Sequence, residues 1–297
     1  MKLLSKQATF RDLVVLSLLF SFYSCNFAQS VEKDLQTGLT TRGKGLSCDK
    51  VYLSDGEIVI KRNAFIYGER YYVNFDGMDG FVREDGNAFP DMQLLIVGEQ
   101  GDTAMYLTDL YASYKEGIDF SPLELYAEVT VADPMHSGGT YTLTVDIGDK
   151  RGEGTLKATL EFTVVRDEKI KLGSKQVSSR EIYLFSQQKG LTITNGLAGF
   201  NENIYLLFEG LEGFVVTDGK VELGLSLVVK DADGNVILDE SDLLGGSSMS
   251  YEDVHAQLAP NFILTGSQIA NPIGCKVRIW DKRSDAWISA STELVVE

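Results

Sequence analysis

Polar and apolar residues alternate one by one along several stretches of this chain. Thr140–Ile147, "TYTLTVDI", switches class at each step. Thr155–Val165, "TLKATLEFTVV", places Leu156, Ala158, Leu160, Phe162 and Val164 on one face. Val221–Val229, "VELGLSLVV", does the same with Val221, Leu223, Leu225, Leu227 and Val229. A period of two predicts strands with one buried and one wet face. "EQGD" (Glu99–Asp102) and "DADGN" (Asp231–Asn235) read as hairpin turns in which Gly supplies the positive φ. A helical period is scarce. The one candidate is "SYEDVHAQL" (Ser250–Leu258), where Asp253 follows Ser250 by three, a capping-box pattern.

The strand pattern is written twice. "FDGMDGFVREDG" (Phe75–Gly86) returns as "FEGLEGFVVTDG" (Phe208–Gly219), 133 residues on. The same spacing carries Ile58 to Leu191, Ile60 to Ile193, Tyr72 to Tyr205, Leu94 to Leu227 and Gly101 to Gly234. Asp109-Leu110 likewise answers Asp242-Leu243. Further on the spacing is 132: Asp149-Lys150-Arg151 answers Asp281-Lys282-Arg283, and Val164 answers Val296. Between these regions, 111–140 against 244–272, the match dissolves, and loops of different sequence are expected there. A duplicated module follows, 48–166 and then 178–297, joined by the polar connector "RDEKIKLGSKQVSSR". Several short strands with turn signals in each copy indicate a β-sandwich, so the fold class is all-β with two tandem sandwiches.

"GGTYTLTVDIGDKRGEGTLKATLEFTVV" (Gly138–Val165) resembles the last two strands of immunoglobulin-like modules of exported bacterial proteins. The resemblance covers the tail of each copy better than the front. It lacks the Cys…Trp…Cys pattern of antibody domains, and it carries no functional residue with it.

The N-terminus adds a destination. Lys2, Lys6 and Arg11 precede an apolar run from Leu13 to Tyr23, the pattern of a secretory signal. The run is shorter than the ~20 residues that span a bilayer. A cut before Cys25, in "SFYSC", gives a lipid-anchored protein; a cut after Ser30 gives a soluble exported one. The expectation adopted is a lipoprotein-type signal over 1–25 with Cys25 acylated, anchored in the outer membrane, then a flexible Thr/Gly/Ser/Gln tether over 26–47. The formal charge of the 297-residue chain is −16. A chain this acidic repels phosphate backbones, so nucleic acid is excluded as a partner, and the membrane is reached only through the lipid. Cys48 and Cys275 fall in different modules, and two separate cysteines are expected rather than a bridge.

Chemistry has few candidates. Asp76, Asp79 and Asp85, with Glu209, Glu212 and Asp218, sit in Gly-rich loops, but their spacing fits no calcium loop, and solvated turns are the simpler reading. His136 and His255 are the only histidines, and neither recurs in the other copy. No Gly-x-Ser-x-Gly elbow or zinc-spaced His pair appears. No cofactor, metal or catalytic residue is assigned. The aromatic residues say more. The alternation that buries Cys275, Val277 and Ile279 turns Arg278 and Trp280 outward, and the one that buries Ile288 and Ala290 turns Trp287 outward. The two tryptophans are then opposed across a hairpin at places the first copy fills with Gly148 and Thr155. Features that recur report what the fold needs; a feature of one copy only is free of that need. The pair is either packing for its own hairpin or an apolar platform, rimmed by Arg278, Lys282 and Arg283. The reading adopted is a non-catalytic extracytoplasmic protein that binds a glycan or protein partner there. A structural spacer of a surface assembly is the alternative, and an acid-pair glycoside hydrolase comes third.

Overall fold

The computed structural model describes residues 29–297. The signal segment and Cys25 lie outside the described residues. The first module contains β1 (Gln29–Lys33), β2 (Thr40–Lys44), β3 (Lys50–Ser54), β4 (Val59–Ile60), β5 (Ala64–Ile66) and β6 (Arg70–Met78). It continues with β7 (Pro90–Gly98), β8 (Thr103–Leu107), β9 (Leu123–Thr130), β10 (Thr140–Asp149) and β11 (Thr155–Val165). The second contains β12 (Lys171–Lys175), β13 (Glu181–Ser186), β14 (Leu191–Thr192), β15 (Leu197–Ala198), β16 (Asn203–Glu209) and β17 (Lys220–Lys230). After these come β18 (Val236–Glu240), β19 (Ser248–Ser250), α1 (Tyr251–Ala256), β20 (Asn261–Ile263), β21 (Ile273–Asp281) and β22 (Trp287–Val296).

Each module is a two-sheet sandwich. In the first, the order β1-β2-β11-β10-β7-β8 faces β4-β3-β6-β9. In the second, β12-β22-β21-β17-β18 faces β14-β13-β16-β20. A short strand runs parallel to the last strand of each, β5 on β11 and β15 on β22. This is the strand order of an immunoglobulin-like sandwich: a sheet of last, penultimate and third strands against a sheet of first, second and fifth. The alternating stretches bury the faces expected of them. Leu156, Leu160, Phe162 and Val164 lie in the first core, and Val221, Leu223, Leu225 and Leu227 in the second. The mismatched region holds the loop around Tyr111 in one copy and β19 with α1 in the other, where Ser250 caps the helix by accepting from the Asp253 N–H.

Two boundaries move. The stretch 26–47, expected as a tether, belongs to the first sandwich from Gln29 on. There β1 pairs with β2, β2 with β11, and Leu39 and Leu46 are buried in the core. Thr, Gly and Ser serve here as edge-strand and turn residues, and burial of two leucines fixes the segment. Within the connector, β12 pairs with β22 as β2 does with β11, and Ile170 and Val177 are buried.

The twice-written phrase has a job at that same seam. Ser47 and Asp79 exchange two backbone hydrogen bonds (3.1 and 2.9 Å), and Ser178 and Glu212 repeat them (3.1 and 3.0 Å). Gly80 and Gly213, at φ of 92° and 101°, follow directly. A Cβ on either would run into the carbonyl of Gly45 or of Gln176, so only glycine fits.

The modules meet through polar side chains. Tyr67 Oη and Tyr183 Oη both donate to the Glu209 carboxylate (3.0 and 2.6 Å). The Ser137 N–H and Oγ donate to the two oxygens of Glu181 (2.7 and 2.6 Å), a carboxylate only 1% exposed. Gly68 packs so close to Thr192 that a Cβ would overlap its hydroxyl. Arg166 bridges to the carbonyls of Ser179 and Arg180.

Candidate functional site

Trp280 and Trp287 are cross-strand partners in the β21–β22 hairpin, half-buried on the outward face. Neither ring stands free. Trp280 lies over Gly224 of β17, where a Cβ would collide with the indole. Trp287 reaches across to Gly173 of β12, 3.4 Å from where a Cβ would stand. Gly224 flanks Trp280 directly, whereas Lys175 stands opposite Trp287 and Gly173 is its diagonal neighbour, so each ring covers one glycine. In the first module the same hairpin positions are Gly148 and Thr155, and Asp91 stands where Gly224 does. The platform is thus partly packing for its own sheet.

The cations sort differently from the expected rim. Lys282 pairs with Asp242 at 2.7 Å, and Arg283 pairs with Glu222 and donates to Thr217 Oγ1 at 2.6 Å. Both cations have paired counterparts: Lys150 with Asp109 at 2.7 Å, and Arg151 at 2.6 Å with Glu84, which stands where the second copy has Thr217. The turn they occupy is built around a buried carboxylate in each copy. Asp281 accepts from the Val215 and Arg283 N–H groups (2.7 and 2.8 Å), as Asp149 does from those of Val82 and Arg151 (2.7 and 2.9 Å). Lys282 and Arg283 are parts of the sandwich, and their charges are spoken for.

Arg278 is the exception. Its guanidinium lies 4.6 Å over the Trp287 ring and is exposed, with no ion pair or acceptor among the described residues. A stacked guanidinium keeps its N–H fork free at the edges while the ring limits its motion. The first module has Asp146 in this place, paired with Lys157 at 3.0 Å. In the second, Ser289 occupies the position of Lys157, opposite Arg278.

Beyond Arg278 the same face opens into a groove of ≈ 980 Å³ lined by Lys169, Lys171, Lys230, Lys276, Ser291 and Asn195 among others. These lysines escape a reading of sequence alone, because isolated lysines on alternating strand positions look like any wet face. Comparison of the two copies supplies the missing signal. The positions of Lys276, Lys230 and Lys171 hold Thr144, Val97 and Thr40 in the first module.

The remaining candidates serve the fold. Glu209 holds the two interface tyrosines, and Glu212 lies 3.4 Å from His255. Among the described residues no three metal-ligating groups gather. Cys48 and Cys275 are unpaired and belong to different cores. Burial pushes the Cys48 thiol up to about 11, helped by Glu32, Asp49 and Asp76, and burial alone pushes Cys275 up to about 12.

No family model and no curated protein matches the chain. Solved structures with some similarity include the fibronectin(III)-like modules of Clostridium thermocellum CbhA, at 12% identity and TM-score 0.20, over 85% of this chain and 94% of that one. A DUF3823 family protein from Bacteroides ovatus has 10% identity and TM-score 0.20, over 73% and 93%. A protein designated pT26-6p has 10% identity and TM-score 0.24, over 99% and 70%. Likeness at this level carries no function across, and the sandwich is defined by its own strand order.

Proposed function

We propose that the chain is a non-catalytic binding protein of the extracytoplasmic space, engaging a glycan or protein partner on the outer face of β12, β22, β21 and β17. One observation carries this: the Arg278 guanidinium is held over Trp287 with its fork uncommitted, where the sister module keeps a paired Asp146. A buried or stacked cation that the fold does not use is best explained by a ligand that does. Replacement by the sister residue is the direct test. Arg278→Asp is expected to preserve a cooperative melt and to abolish binding of the partner recovered by a glycan array or pull-down. Retained binding in that variant rejects this face.

The spacer reading draws on a different observation, the hydrogen bonds that cross the junction from Ser137 to Glu181 and from Tyr67 to Glu209. The two readings are compatible, since a stiff tandem would present the face at a set distance from an anchor.

A further inference from the structure

The geometry points to a carboxylate-bearing polysaccharide as the ligand of this face, lying across the strands over Arg278, Lys276, Lys230 and Lys171. The inference rests on the reading that the face binds a partner, and it adds the partner's chemical class.

The placement comes from the strand register. Lys276 on β21 stands between Val228 of β17 and Ser291 of β22, and Lys171 of β12 lies beyond Ser291. Lys230 is one diagonal step from Lys276, and Arg278 is two residues along the same strand. Four strands enclose three gaps, so the track is roughly 14 Å wide. Lys169 closes one rim, donating to the Thr194 carbonyl, and Lys171 donates to that of Glu168. Those bonds leave the charge in place. None of the four lysines forms an ion pair among the described residues.

Two carboxylates stand among these cations, Glu293 opposite Gly274 and Asp239 opposite Val228, while Glu222, farther along β17, is paired with Arg283. Five cations against two carboxylates is a local reversal of sign on a chain of formal charge −16. The duplication shows that the reversal is not a demand of the fold. Glu293 has a counterpart in Glu161, whereas Arg278, Lys276, Lys230 and Lys171 are answered by Asp146, Thr144, Val97 and Thr40. One of the two anions recurs, Asp239 being answered by Tyr106, and none of these four cations does.

The class follows from what the face offers. Backbone groups of β21 and β22 are paired on both sides, so over the centre of this face, where Arg278 and Lys276 stand, an extended peptide has no free edge to join, although β12 leaves one at its margin. Recognition must run through side chains. Lysine stems give an apolar floor with charged tips, and Ser289, Ser291 and Asn195 give hydroxyl and amide groups suited to sugar hydroxyls. The Arg278 fork matches a carboxylate in two parallel hydrogen bonds. A linear sugar polymer with recurring carboxylates uses all three, and complementary charge speeds encounter while excluding neutral polymers.

Calorimetry on the full chain with defined polymers separates the outcomes. The probes are polygalacturonate, its methyl ester, polyglutamate and a single-stranded DNA oligonucleotide. The expected result is binding of polygalacturonate alone, weakened by salt. Lys230→Glu/Lys276→Glu should lower affinity by about tenfold or more, while the matched Lys61→Glu/Lys115→Glu in the first module changes it little. Melting curves establish that the variants are folded. Equal binding of the methyl ester, preference for polyglutamate or DNA, no binding of any polymer, or indifference to the lysine pair each overturns the inference. Methyl-ester binding that Arg278→Asp abolishes overturns the class and keeps the face. Polygalacturonate binding untouched by Arg278→Asp and by the lysine pair overturns both.

Discussion

Trp287 illustrates how far a single residue can be read before its neighbours are known. Alternation along β22 was enough to turn it outward and to set it opposite Trp280. That Gly173 and Gly224 lie under the rings was not legible, because their contacts cross strands far apart in the chain. Trp287→Thr therefore removes packing as well as a surface: the cation–π contact and a half-buried ring together give an expected loss of about 1–2 kcal/mol, readable in a denaturant melt. Lys282 and Arg283 teach the opposite lesson. They are expected from the sequence as part of the binding rim, yet they recur as Lys150 and Arg151, a signal that points to the fold, and they form ion pairs with Asp242 and Glu222. Cys275 allows a pH test. Its thiol is held protonated in the folded state, so the contribution to stability is complete below the unfolded thiol's value and is lost as pH rises towards about 12. Between about pH 8 and pH 11 the Cys275→Ala variant should lose less stability than the parent. Iodoacetamide should label Cys48 slowly at neutral pH and Cys275 only on unfolding.

At the scale of elements, the strands with strict alternation and the two Gly-containing hairpins were plain in the sequence, and so was the single capped helix. The segments around β2 and β12 were not. Each is short, rich in Thr, Ser, Lys or Gly, and becomes a strand only because β11 or β22 offers it an edge. Tertiary pairing overrides weak local preference there. The glycines that seat these segments are testable in pairs. Gly80→Ala and Gly213→Ala each force a Cβ into a backbone carbonyl at positive φ, and each should cost about 3 kcal/mol. Gly234→Ala, with open space at its Cβ, should cost visibly less, since only the φ of 85° opposes it. Urea melts of the three variants provide the comparison.

For the whole molecule, duplication was legible, and the junction between the copies was not. Glu181 stands where the first module has Lys50, so no repeat pattern announces its role. A buried carboxylate, Glu181, accepting from Ser137 and a half-buried one, Glu209, accepting from Tyr67 and Tyr183 favour this orientation, because a buried acceptor that loses its donor is left poorly solvated. Gly68→Val should push Thr192 away and open the joint. Small-angle scattering should then report a longer and more variable particle, while the melt of each sandwich remains cooperative. An unchanged scattering curve would show that the modules stay together without this contact.

One asymmetry between the copies bears on how the second sandwich resists pairing with another chain. The first sandwich closes its β2 margin with β1, but β12 ends its sheet uncovered among the described residues. An uncovered margin is a template on which another chain can zip. Here "KLGSK" places Lys171 and Lys175 along it, the kind of charge that discourages such zipping. Neutralising those ammonium groups, by acylation for example, would remove the guard, so chemical labelling of lysines is expected to increase self-association through the second module.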